Sequence, residues 1–594
     1  MCINDRINAL RVQMKQHGVD AYIISSSDPH QSEYVPERWS GRQWISGFTG
    51  SAGTVVVTTS HAGLWTDSRY FLQAEEELAG TEMQLHKLLV QTQAEYVDWI
   101  CANIRSGSIV ACDFACFSFG QIQSFDKLLT AAGLHLKNTN CLLDAIWLDR
   151  PSLPIHPIWN YDIKYAIVSR ESKLEKIRTW MKNLKADVYL VTALDEIAYL
   201  LNLRGSDVEC NPLFVSFFKM DLHSATLYVQ KAKLNSGLIQ ELKSCNIEIE
   251  PYQEFYKAVT DLDKNSKIAV DPTTLNAKLA LLLPHNSLLT TVSPVMNMKA
   301  VKSDKEVAHI RVAMAKDGAA LVKAFLWLEQ QLAQGVHPTE HEMSEKLASS
   351  RAEMPDYIGE SFHAIVGFKS NGAIIHYRPD QTNSSKIKAE GVLLVDSGGQ
   401  YLDGTTDITR TIALSEQNIE IKKQYTAVLK GHIDLCQLVF PKGTKGIQMD
   451  ILARRHLWAL GLNYGHGTGH GVGYFMNVHE PPQGFVSAWN QRGMSEFLPG
   501  MLTSNEPGFY ETGSHGIRIE TLLLVQENEV KDFCSFENMS VFPIDKNLID
   551  LKSFGLDYRD WLNNYHQYCL KQISPWCSEE EKKWLESKCT PIEL

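Results

Sequence analysis

One short stretch limits what this chain can become. The apolar run Val392-Leu-Leu-Val395 ends at Asp396, a Gly398-Gly399 pair follows, and Asp407 opens a second alternating run, Asp407-Ile-Thr-Arg-Thr-Ile412. Side chains alternate faces along a strand, so Asp407 and Thr409 share one face. A turn at the glycines would fold the two strands together and bring Asp396 beside Asp407. Two ionised carboxylates that close repel strongly away from water, so one is protonated or a cation sits between them. Taken alone, Asp beside Gly is ordinary turn chemistry, and the stretch also reads as a surface hairpin with solvated acids. The rest of the chain decides between these readings.

At 594 residues the chain exceeds what one hydrophobic core supports, which predicts at least two domains and more plausibly three. The formal charge is −12, from 57 basic and 69 acidic residues, with no long basic run, which argues against nucleic acid as the main partner. No apolar stretch approaches a membrane span, and the amino-terminal residues read as an amphipathic helix rather than a signal peptide. Twelve scattered cysteines without recurring CxxC pairs read as reduced thiols of a cytoplasmic protein.

Residues 1–150 alternate helices and strands: a helix to about Gln16 stopping at Gly18, strands at 21–25, 53–58, 64–66 and 108–112, a helix from Asp67 carrying Arg69, and another around Glu95–Ile104. Residues 151–302 echo this pattern. Lys185-Ala-Asp-Val-Tyr-Leu-Val-Thr192 parallels Gly18-Val-Asp-Ala-Tyr-Ile-Ile-Ser25, and 213–218 with 225–229 parallels the earlier hairpin. This reads as a duplicated α/β module whose second copy lacks the Trp65-Thr-Asp-Ser-Arg-Tyr70 run. The third domain, 303–594, opens on two capping boxes, Ser303-Asp-Lys-Glu306 and Thr339-Glu-His-Glu342, each announcing a helix. A helical tail from about Leu548 carries Trp561, Trp576 and Trp584, and either caps its own domain or packs on a second subunit.

Three further segments hold polar residues in apolar or glycine-rich settings. In Gly465-His-Gly-Thr-Gly-His-Gly-Val-Gly473 glycine fills every second position, which opposes a helix; if extended, His466, Thr468 and His470 point one way, and the glycines let another backbone or a ligand approach closely. In Thr503-Ser-Asn-Glu-Pro-Gly508 the proline holds Glu506 extended at a strand-to-turn junction. In Gly516-Ile-Arg-Ile-Glu-Thr521 the charged Arg518 and Glu520 share a face of a buried strand, so they pair with each other or with a metal. The inventory of Asp396, Asp407, His470, Glu506 and Glu520 carries four negative charges, which two divalent cations would balance. Oxygen donors with one imidazole suit Mn²⁺, and less selectively Co²⁺ or Zn²⁺. Two such ions about 3.5 Å apart could share one hydroxide and polarise a carbonyl, the recipe for metal-assisted hydrolysis. No Gly-x-Ser-x-Gly elbow competes with this reading.

These motifs resemble the Asp-Asp-His-Glu-Glu dinuclear site of the pita-bread metallopeptidases. The likeness extends to Asn371-Gly-Ala-Ile-Ile-His-Tyr377, Asn477-Val-His-Glu480, Gly47-Phe-Thr-Gly-Ser-Ala-Gly53 and Trp65-Thr-Asp-Ser-Arg-Tyr-Phe71. With the three-domain length and the Trp561 tail, the chain is most similar to the long-form Xaa-Pro aminopeptidase branch. The resemblance implies two creatinase-N-terminal-like α/β domains before a pita-bread catalytic domain, and hydrolysis of the bond between an N-terminal residue and proline. It implies that Asp396 ligates one metal, that Asp407 and Glu520 bridge both, and that His470 and Glu506 complete the other, with Glu506 also taking a proton from water. It further implies that His376 and His479 contact substrate, His479 as proton shuttle, that His466 lines the pocket, that Arg518 holds ligand carboxylates, and that Arg69 reaches toward bound peptide. A homodimer is the family expectation. Departures are slight: Asn505, Phe509 and Thr521 stand where relatives often carry Asp, Tyr and Asn. A dipeptide-only prolidase would typically lack the second module, and a binding protein that had lost catalysis would lack ligands; all five are present.

Overall fold

The computed structural model describes residues 1–89, 94–284 and 287–593. The chain divides into two units, Met1–Met296 and Asn297–Leu594.

In the first unit, helix α1 (Ile3–Gln16) stops where Gly18 takes a left-handed φ of 62°, a conformation glycine adopts without strain. Strands β1 (Ala21–Ile24), β2 (Thr54–Thr58), β3 (Ala62–Thr66), β4 (Gln84–Lys87), β5 (Ile109–Cys112) and β6 (His135–Asn138) form one sheet in the order 4-3-2-1-5-6. The alternation of side chains splits β1 between two cores. Tyr22 and Ile24 pack with Ile7, Leu10 and Met14 of α1, whereas Ala21 and Ile23 pack with Val97, Ile100 and Phe125 on the other side. Strands Val188–Val191, Ser216–Asp221, Ala225–Val229, Ile247–Glu250, Ile268–Val270 and Leu288–Thr290 build a second sheet. Numbered in chain order, they also run 4-3-2-1-5-6. Pairings 1-2 and 2-3 are antiparallel and pairings 3-4, 1-5 and 5-6 parallel in both sheets, so the two α/β modules share one topology. The modules are joined inside the unit by backbone bonds from Phe119 to Leu275 and from Ala277 to Phe117. Buried His30 adds ring contacts to Thr192 O (2.9 Å) and Tyr252 Oη (3.0 Å).

One expectation fails locally. The helix anticipated from Asp67 begins at Phe71. Asp67 instead accepts the Arg69 backbone N–H and pairs with its guanidinium at 2.8 Å, turning the chain before the helix can start.

The second unit opens with the anticipated pair of helices. Asp304–Ala333 is capped by Ser303 and Glu306, and Glu340–Ala352 by Thr339 and Glu342. The buried Arg351–Asp317 pair (2.7 Å) ties them together. Their partners are three small antiparallel sheets and a ribbon. Ile365–Phe368, Val392–Ser397 and Ile408–Ala413 form one sheet; Phe440–Pro441, Phe533–Asn538, Thr521–Glu527 and Leu502–Asn505 form another. Gly508–Glu511 pairs with His515–Arg518 as the ribbon. The third sheet corrects the opening hairpin: Gly399–Tyr401 and Gly404–Thr405 pair with each other and with Tyr357–Glu360, so the turn falls at Leu402–Asp403 and not at Gly398–Gly399. Gly398 serves packing instead, since a Cβ there would lie 2.0 Å from Thr406 O and 2.3 Å from Ser361 Oγ.

The tail helices Leu556–Ile573 and Glu579–Lys588 lie on their own unit. Buried Arg410, next to the strand residues of interest, donates to the Phe542 and Glu520 carbonyls and to Tyr565 Oη of the tail. Trp561 stacks on Tyr565, and Trp584 Nε1 donates to Glu329 Oε2 at 2.7 Å. The tail is therefore a capping layer.

Candidate metal centre

The site forms where the three-stranded sheet, the four-stranded sheet and the glycine track meet. Strands Val392–Ser397 and Ile408–Ala413 pair with Asp396 opposite Thr409, which brings Asp407, the residue just before its strand, to the end that holds Asp396. Glu520 lies in the two-residue break between strands His515–Arg518 and Thr521–Glu527. Its N–H donates to Thr409 O (3.1 Å), and its Oε2 accepts from Thr409 Oγ1 (2.7 Å). The break frees this carboxylate from the pleat and directs it onto the sheet carrying the aspartates.

The glycine track runs beside Leu502–Asn505. Ser504 N donates to His470 O (2.8 Å), His470 N to Ser504 Oγ (3.0 Å), and Glu506 N to Thr468 O (2.8 Å). This close approach is what the alternating glycines permit: a Cβ on Gly469 would lie 1.8 Å from Ser504 O, and one on Gly471 2.2 Å from Glu480 O. Two ends of the chain that bear His470 and Glu506 are thereby locked side by side.

Asp407, His470 and Glu520 each present a donor atom within 4.8 Å of the others, and all three are buried. His470 Nε2 stands 3.6 Å from Asp407 Oδ2 and 3.4 Å from Glu506 Oε1. His470 Nδ1 faces Gly471 O at 3.0 Å, a carbonyl that can only accept, so Nδ1 carries the proton and Nε2 the lone pair. Asp396 flanks this group. Its Oδ2 accepts from Arg518 Nη2 (2.7 Å) and Nε (3.1 Å), while its buried Oδ1 has no hydrogen-bond partner.

The charges are frustrated. Burial pushes Asp407 well above the usual carboxylate range, with Asp396 and Glu506 adding to the effect. Burial likewise raises Glu520, reinforced by Asp407. Glu506 is pushed up to about 7, chiefly by burial and by Asp396, against the lowering influence of Arg518. A buried cluster of oxygen donors that resists ionisation, with one orphaned carboxylate oxygen and an imidazole lone pair, fits divalent cations.

Arg518 pairs with Asp396 rather than with Glu520, which settles the alternative left open by the alternating strand. Its Nη1 donates to Tyr510 Oη (2.7 Å), which also contacts His466 Nε2 (2.9 Å). His466 is thus linked to Asp396 through Tyr510 and Arg518. Arg518 Nη2 also donates to Ile375 O (3.3 Å), the residue before half-buried His376. The segment bearing His376 is held further by Glu340, which accepts from Phe368 N, Asn371 Nδ2 and Tyr377 Oη. The His479 ring meets His470 edge-on at 4.2 Å. Arg69 belongs to the first unit, where it pairs with Asp67 and lies over the Tyr70 ring. Asn505, one of the departures, donates to His432 O (2.9 Å), a helix contact rather than a ligand contact. Tyr510 was not singled out by its sequence; a tyrosine two residues after Pro-Gly carries no pattern that marks it.

The family model "Metallopeptidase family M24" matches residues 308–527, and the model for its C-terminal region matches 532–592. Two creatinase/prolidase N-terminal domain models match 6–146 and 149–306. The chain is 38% identical to a probable Xaa-Pro aminopeptidase P of Laccaria bicolor, over 99% of this chain and 93% of that one. It is 37% identical to Xaa-Pro aminopeptidase 1 of Dictyostelium discoideum, over 100% and 97%. Among solved structures, the X-prolyl aminopeptidase of Caenorhabditis elegans, described as a cytosolic enzyme with a di-nuclear active site, superposes with a TM-score of 0.96 at 32% identity over the full length of both chains.

Proposed function

The chain belongs to the Xaa-Pro aminopeptidases of metallopeptidase family M24, with two creatinase-like α/β domains ahead of a pita-bread catalytic domain, and on that premise we propose that it removes an N-terminal residue followed by proline with two divalent metals. The observation that carries this reading is the convergence of Asp407, His470 and Glu520, with Asp396 and Glu506 beside them, from segments up to 124 residues apart. In this reading Asp396 serves one metal, Asp407 and Glu520 serve both, and His470 and Glu506 serve the other. Mn²⁺ is the proposed ion, with Co²⁺ or Zn²⁺ as alternatives. When bound, the pair supplies Lewis acidity toward the scissile carbonyl and toward water.

The chain's own groups do the rest. Arg518 holds Asp396 by two N–H donors and so aims Oδ1 away from itself. His470 presents Nε2 in a tautomer fixed by Gly471 O. Glu506, held near pH 7 by its burial, is suited to accept a proton from water at neutral pH. The bond to proline is a tertiary amide, so its nitrogen must gain a proton to leave; His479 is proposed to carry it, with His376 and His466 lining the substrate side. We assign domains to 1–150, 151–302 and 303–594, with the tail from about 548, and propose a cytoplasmic homodimer. Among the described residues no helix is long and apolar enough to cross a membrane.

The test is hydrolysis of Arg-Pro-Pro, an Xaa-Pro dipeptide and an Xaa-Ala peptide by metal-stripped protein, with and without Mn²⁺, and with Glu506→Ala as control. Release of only the first residue of the tripeptide, dependent on Mn²⁺ and on Glu506, is expected. Turnover confined to the dipeptide would make the chain a prolidase, and no turnover with metal bound would refute the peptidase reading.

A further inference from the structure

Beside the metal centre, two buried lysines share one carboxylate. Lys302 Nζ donates to Glu480 Oε1 at 2.6 Å and Lys299 Nζ to Glu480 Oε2 at 2.9 Å. The three side chains are at most 3% exposed. Lys302 also donates to Val472 O at 2.7 Å, and Glu480 N to Gly471 O at 2.7 Å. Burying three ions is costly, and here the cost coincides with a fixed loop geometry.

The geometry enforced here is that of a loop. Residues 471–480 leave the track directly after His470 and return directly after His479. The Gly471–Glu480 backbone bond closes the base of this loop. The lysines then pin both of its ends: Lys302 holds the outgoing strand through Val472 and the returning strand through Glu480. His470 and His479, one residue outside and one inside the closure, meet with rings 4.2 Å apart. Gly471 admits no side chain at this point, because a Cβ would strike Glu480 O.

We infer that Glu480, clamped by Lys299 and Lys302, is a positioning residue that sets the His479 imidazole against the His470 side of the site. Both lysines lie in the first residues of the second unit, just ahead of the domain assigned to 303–594, so the segment leading into that domain also holds the loop that bears His479. The inference rests on the proposed role of His479.

The experiment is a double-mutant cycle on the full-length, Mn²⁺-loaded protein with Arg-Pro-Pro as substrate, using Glu480→Gln, His479→Gln and the pair. Glu480→Gln is expected to lower kcat about ten- to a hundredfold, the cost of a displaced reacting group, with unchanged metal stoichiometry. KM should stay within about twofold, because substrate binding is not what the clamp serves. In the His479→Gln background the same substitution should change kcat by less than about twofold, since there is no imidazole left to place. Lys302→Met should reproduce the pattern, and it serves if Glu480→Gln does not fold. Equal losses in both backgrounds, or wild-type kcat in folded Glu480→Gln, would overturn the clamp while leaving the peptidase reading intact. Absence of turnover by the wild type would overturn that reading, and this inference with it.

Discussion

Gly469→Ala puts the packing of the glycine track to a direct test. The added methyl would lie 1.8 Å from Ser504 O, whereas ordinary contacts begin near 3.4 Å, so one backbone must retreat by about 1.6 Å. Neither can yield by rotating a side chain, because the obstacle is main chain. Three bonds hold the two segments together: Ser504 N to His470 O, His470 N to Ser504 Oγ, and Glu506 N to Thr468 O. Losing them costs about 0.5–1.5 kcal/mol each, and overpacking about 1–3 kcal/mol more, for a total of roughly 3–7 kcal/mol. The retreat carries His470 or Glu506 with it, and a displacement of this size costs about a hundredfold in kcat. Gly467→Ala is the control, since the nearest atom to its Cβ is Val486 Cγ1 at 2.8 Å, a side chain that can move. Thermal unfolding followed by fluorescence, Mn²⁺ titration by calorimetry and turnover of Arg-Pro-Pro would be measured on both variants. The melting midpoint of Gly469→Ala should fall by roughly 10 °C, with a much smaller fall for Gly467→Ala. A Gly469→Ala protein with wild-type midpoint and kcat would refute the reasoning.

Three other outcomes are expected. A carboxyl whose folded-state pKa is raised binds its proton more tightly in the native state, so its contribution to stability is greatest below its unfolded value of 4.5 and is lost as pH rises toward about 7. Metal-stripped protein should therefore melt progressively lower between these pH values, Glu506→Gln should flatten that slope, and added Mn²⁺ should reverse it; scanning calorimetry across the window checks all three. Tyr510→Phe removes the hydroxyl that accepts from Arg518 and contacts His466, and should cost about 1–3 kcal/mol of stability and lower kcat without removing a ligand, as denaturant melts and metal analysis would show. Arg410→Met deprives the Phe542 and Glu520 carbonyls and Tyr565 of a donor, and should loosen the tail first, seen as faster proteolysis beyond residue 548.

What was legible in the sequence was local. Capping boxes at Ser303 and Thr339 involve neighbours three residues apart, so they announced their helices correctly. The glycine alternation at 465–473 announced a close approach by a backbone or a ligand, and the backbones of Ser504 and Glu480 provide it. Misreadings arose where a residue had two uses. Gly398 and Gly399 looked like a turn, but Gly398 makes room for Thr406 O, and the chain turns later, at Leu402–Asp403. Asp67 looked like a helix start, but it binds Arg69. Less legible were the individual pairings between residues distant in sequence. The resemblance implies that Arg518 holds a ligand carboxylate, but nothing local says it is Asp396, 122 residues earlier, and nothing around Glu480 points to lysines at 299 and 302.

The break between Arg518 and Thr521 that releases Glu520 from the pleat bears on how the protein matures. The carboxylate joins Asp407 and His470 only after the ribbon, the four-stranded sheet and the glycine track have all docked. Contacts that span so much chain form late, because loop closure must precede them. A nascent or partly unfolded chain thus offers cations scattered single donors and no chelate. Metal is therefore captured by the finished fold and stabilises it by mass action, so bound metal marks a molecule that has folded.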